Sequence, residues 1–167
     1  MLQWLDTDED GALTPIEKQQ ARIIIYGHSS ETVALARELG ARKIPVLLII
    51  QVSNVGKPGK RDGLIPPNVA NAVNFYQLEG AFYGGPEIAA TDPARTSIIG
   101  NFRMTYSDHP VASNGSSWFA QLFMKSHIQI KDDPRLWQEA SALIDSQLSK
   151  GEIADQPQVS GVSSGAQ

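Results

Sequence analysis

The eight residues Pro45–Val52 (PVLLIIQV) form an apolar run that lacks the in-out alternation of a half-exposed strand. Such a run suits a strand buried on both faces, the situation of a parallel sheet covered by helices. Earlier in the chain Ile23-Ile24-Ile25-Tyr26 reads the same way. Between the two lies ETVALARELGARK, rich in helix formers, with Val33, Ala36 and Leu39 as its packing stripe. Strand, helix and strand within about thirty residues make a βαβ unit. Ala72–Leu78 and Thr96–Tyr106 read as further strands. Asp133-Pro134 opens a closing helix whose apolar positions Leu136, Trp137, Ala140, Leu143, Ile144 and Leu148 recur at helical spacing. The expected fold is three-layer α/β, a mainly parallel sheet of about four strands with helices on both faces.

Composition narrows the function classes. Of 167 residues 41% are apolar and 19% charged, which excludes a chain disordered throughout. No apolar run approaches the roughly 20 residues that span a bilayer, so no integral membrane segment is expected. The absence of Cys removes disulfides, thiol nucleophiles and thiolate metal sites. The first ten residues, MLQWLDTDED, show no secretion signal, and the compartment is left open. The formal charge is −4, and its source is local: Asp6, Asp8, Glu9, Asp10 and Glu17 are five acids in one short stretch without a base. The densest basic segment, KPGKRDG at 57–63, has no interleaved aromatics and reads as a solvated loop, so nucleic-acid binding is not expected.

The acidic stretch, DTDEDGALTPIE, follows the order of a calcium loop. Asp6, Asp8 and Asp10 offer carboxylates at loop positions one, three and five. Gly11 stands at position six, where the chain turns sharply. Ala12 can supply its backbone carbonyl at position seven, and Thr14 can act directly or through water at position nine. Glu17 stands at position twelve, where a two-oxygen carboxylate completes the shell of a hard cation. Leu13 between them is free to pack. Thr14-Pro15-Ile16-Glu17 is also a helix start, with Thr14 as N-cap, Pro15 in the first helical position and Glu17 closing a capping box. Residues 6–17 thus resemble an EF-hand loop, and the resemblance implies bound Ca2+.

Tyr26-Gly27-His28-Ser29 places a Ser on a turn between a buried strand and a helix. It is similar to the nucleophile elbow of alpha/beta hydrolases of the lipase and esterase type, with Glu31 in the place of the pattern's last Gly. The resemblance spans about Ile23 to Leu148 and implies the C-terminal half of that fold. It implies Ser29 as nucleophile and His127, before the closing helix, as base, with His109 as a competitor. Asp62 is the acid of first choice and Asp92 the second.

These readings give an N-terminal EF-hand loop and short exit helix over residues 1–22, a partial hydrolase-like domain over 23–150, and a disordered Gly- and Ser-rich tail over 151–167. The first functional expectation is calcium binding that orders the loop beside the serine turn. The second is an active serine hydrolase on a small ester or acyl substrate. The third is a non-catalytic interaction fragment that associates through an exposed sheet edge. Each residue also has a structural role open to it. Ser29 can cap the following helix, Phe75 and Tyr76 can be core, and Trp118, Phe119, Leu122, Phe123 and Met124 can form the buried face of a short helix or a lid.

Overall fold

The computed structural model describes residues 2–28, 31–52, 63–78, 87–106, 130 and 133–154. A single 3-10 turn, Gln3–Leu5, leads into the acidic loop, and α1 (Pro15–Gln20) leaves it. There follow β1 (Ile24–His28), α2 (Glu31–Ala41), β2 (Val46–Val52), β3 (Leu64–Ile65), β4 (Val69–Tyr76), β5 (Ala89–Ala90), β6 (Ser97–Arg103) and α3 (Pro134–Ala154). The main sheet has the order β1-β2-β4-β6, and every neighbouring pair is parallel. β3 and β5 form a separate two-stranded parallel pair.

The run PVLLIIQV becomes β2, an interior strand, and Leu48, Ile49, Ile50, Gln51 and Val52 are all fully buried. Alternation divides its side chains between two cores. Ile49 joins Ile25, Ala72 and the α2 stripe of Val33, Ala36 and Leu39. Leu48, Ile50 and Val52 join Val73, Phe75 and the α3 residues Leu136 and Ala140 on the other face. A helix therefore covers each face of a parallel sheet, as the continuous apolar run requires. Each fully buried aliphatic side chain contributes about 1.5–3 kcal/mol relative to exposure.

Several polar contacts tie the layers. Asn68 donates to the carbonyls of Ala36 and Ile44, fastening the middle of α2 and the segment after it to the start of β4. Asn71 on β4 donates to Gln147 of α3 at 3.1 Å, and the Arg22 guanidinium donates to the Leu148 carbonyl. Asp133, fully buried, caps α3. Its carboxylate accepts from the Arg135 backbone at 2.9 Å and pairs with the Arg135 guanidinium at 2.8 Å.

The structure departs from the expected elements in a few places. β4 begins at Val69, three residues before the expected strand, because Val69 pairs with Val46 at the start of β2. Trp137 lies on the expected helix stripe but is 47% exposed, its ring stacked on Tyr26 at 4.8 Å over the edge strand β1. α3 continues through Gly151-Glu152-Ile153-Ala154, into the segment expected to be tail. One Gly weakens a helix by only about 1 kcal/mol, and the residues after it tolerate helix. Among the described residues no helix is long and apolar enough to cross a membrane.

Candidate metal centre

The acidic loop folds around its own carboxylates. The Gly11 backbone N–H donates to Asp6 Oδ2 at 2.9 Å, the Ala12 N–H to Asp10 Oδ1 at 2.8 Å, and the Asp10 N–H to Asp8 Oδ1 at 3.3 Å. Gly11 adopts φ +85°, a left-handed conformation that a Cβ would strain, which is why Gly suits position six. These turns converge Asp6, Asp8 and Asp10 so that one carboxylate oxygen from each lies within 4.8 Å of the others. Asp6 Oδ1 is buried and accepts no hydrogen bond. The loop is seated on the α2-side core: Leu5 is buried there, and Leu2 and Leu13 pack against it.

Glu17 stands apart from that trio. Its Oε1 accepts the Thr7 backbone N–H at 2.6 Å and the Thr7 hydroxyl at 2.9 Å. Its Oε2 accepts the Thr14 N–H and hydroxyl, both at 2.9 Å. The Thr14 hydroxyl in turn accepts the Glu17 N–H at 3.3 Å, which completes the expected capping box. Thr14 and Glu17 are therefore engaged with each other, and the carboxylate clamps residues 7 and 14 together. With four donors on its two oxygens, Glu17 can ligate a cation only by releasing some of them.

The electrostatics of the two acids are opposite. The backbone donor of Thr14, then that of Thr7, and the two hydroxyls hold the Glu17 carboxyl down from its ordinary 4.5 to about 2. For Asp8 the Asp10 backbone donor pulls the carboxyl down. Desolvation, the charges of Asp10 and Glu17, and contact with Asp6 together outweigh it and leave the carboxyl raised. A lowered carboxylate stabilises the fold above its unfolded value, and that contribution is lost as pH falls toward the folded one. Without added cation, thermal stability of the wild type is expected to decline from about pH 4.5 toward pH 2. The difference between wild type and Glu17→Gln should shrink across the same interval. A difference that stayed constant through that acid range would show that the clamp carries no such linkage.

The expected hydrolase residues fall differently. Ser29, Asp62 and His127, like His109, lie outside the described residues. Asp92 is described. It caps its own turn, accepting the Ala94 N–H at 3.0 Å, just before β6 begins. That turn is at the amino-terminal edge of the parallel sheet, whereas the chain leaves β1 for residue 29 at the carboxyl-terminal edge. Glu31, in the place of the elbow's last Gly, opens α2 and faces solvent. The close strand–helix approach falls instead at Gly27, where a Cβ would meet the Thr32 methyl at 2.8 Å.

A row of amides, Gln51 and Asn74 buried and Asn101 half-buried, went unforeseen. Gln51, Asn74 and Asn101 are opposite one another on adjacent strands, and Asn74 donates to Asn101 Oδ1 at 3.2 Å. The register of β6 shifts between the partners of Ala72 and Val73, which brings Asn101 opposite Asn74. There Asn101 also accepts the Ile88 N–H at 2.8 Å, fixing the approach to β5. The polar Gln51 within PVLLIIQV was the available signal.

No family model, no curated protein and no solved structure matches the chain.

Proposed function

We propose that residues 6–17 form a calcium site of the EF-hand kind, in which the ion orders the loop and, through α1, the start of β1. The observation that carries the reading is the convergence of three aspartates, within 4.8 Å, around turns that their own carboxylates hold. The buried, unpartnered Asp6 Oδ1 agrees with it, because a buried carboxylate oxygen needs a cation or a donor. Oxygen-only donors on a flexible loop suit Ca2+ better than a thiophilic or imidazole-seeking metal. Asp6, Asp8 and Asp10 supply carboxylate oxygens, Ala12 its carbonyl, and Thr14 a direct or water-mediated contact. Glu17 completes the shell on turning away from part of its clamp. Since α1 ends at Gln20 and β1 starts at Ile24, order in the loop reaches the sheet through three residues.

The test is thermal unfolding with calcium and with chelator. An ion that binds only the folded state at a hundred times its dissociation constant adds about 2.7 kcal/mol. For a chain of this size that corresponds to a rise in Tm of roughly 5–10 °C. Identical melts with chelator and with millimolar calcium would end the reading.

A second reading, a serine hydrolase of the alpha/beta kind using Ser29, His127 and Asp62, is supported by topology. β1 ends at His28 and α2 begins at Glu31, so only two residues, Ser29 among them, connect a parallel strand to the helix packed on its sheet. The carboxyl edge of such a sheet is where ligands of open α/β folds bind. Ser29 would attack an acyl carbon, His127 would take its proton, and Asp62 would orient the imidazole. A fluorophosphonate probe is expected to label the wild type and not Ser29→Ala. A folded wild type that resists the probe would refute this reading and leave the calcium site untouched.

A further inference from the structure

We draw no further inference here: the strongest candidate, the apolar groove of about 400 Å3 that Phe75, Ile99, Phe102, Met104 and Leu143 form between the edge strand β6 and α3, carries nothing because nothing among the described residues shows what covers it.

Discussion

Ile50→Ala is expected to lower the unfolding free energy by about 2–5 kcal/mol, measured by urea denaturation with an unchanged slope. Ile50 lies in β2 between Tyr26 of β1 and Val73 of β4, and none of its surface is exposed. Its side chain packs in the cluster that joins the sheet to α3. Truncation removes three carbons from a site whose neighbours are backbone-fixed strands on both sides. The surroundings cannot collapse into the void, and the cost of a cavity adds to the lost transfer energy. Domains of this kind hold only about 5–15 kcal/mol in all, so Tm should fall by roughly 5–15 °C. Ile50→Val, which removes one methyl, should cost about 0.5–1.5 kcal/mol. Leu35→Ala, at a position on α2 that is 46% exposed, should change stability by no more than about 0.5 kcal/mol. A cost for Ile50→Ala as small as that for Leu35→Ala would mean that β2 is not the buried centre of the sheet.

Elements whose pattern is set by burial on one face or both were legible in the sequence. PVLLIIQV had only one inexpensive environment, and the Val33, Ala36 and Leu39 stripe had only one sheet to pack on. The capping box at Thr14 and Glu17 was legible for a different reason: it is complete within four residues and needs no tertiary partner. What escaped were features fixed by pairing across the sheet. The shifted register of β6 depends on its alignment with β4, and nothing local to Ser97–Arg103 encodes it. The two-residue strands Leu64–Ile65 and Ala89–Ala90 carry no periodicity at all. Trp137 repeats at core spacing yet lies at the margin of α3, where its ring closes over Tyr26. At the candidate site the spacing foretold which aspartates meet. It could not tell that Glu17, which serves both the loop pattern and the helix cap, is held by the cap in this structure.

That division between the aspartates and Glu17 gives the prediction that separates a cation site from a merely acidic turn. In Asp8→Asn the amide keeps an acceptor for the Asp10 N–H while one of the converging charges disappears. The raised Asp8 carboxyl means that the folded loop resists this charge, so removing it should raise Tm at pH 7 in the presence of chelator. The same variant should lose most of the rise that calcium gives the wild type, since a hard cation prefers the charged oxygen. Glu17→Gln should do the reverse in chelator and lower Tm. Its amide nitrogen replaces one carboxylate oxygen and cannot accept, so the backbone N–H and hydroxyl of either Thr7 or Thr14 lose their acceptor. It should also weaken calcium binding, seen as a higher midpoint in isothermal titration. The two variants are thus expected to move the cation-free melt in opposite directions and the calcium response in the same one. If Asp8→Asn raised Tm equally with and without calcium, charge relief would account for the whole effect and Asp8 would be no ligand of the ion. If Glu17→Gln left calcium affinity unchanged, the carboxylate would be a helix cap alone, and the ion would rest on Asp6, Asp8, Asp10, the Ala12 carbonyl and water.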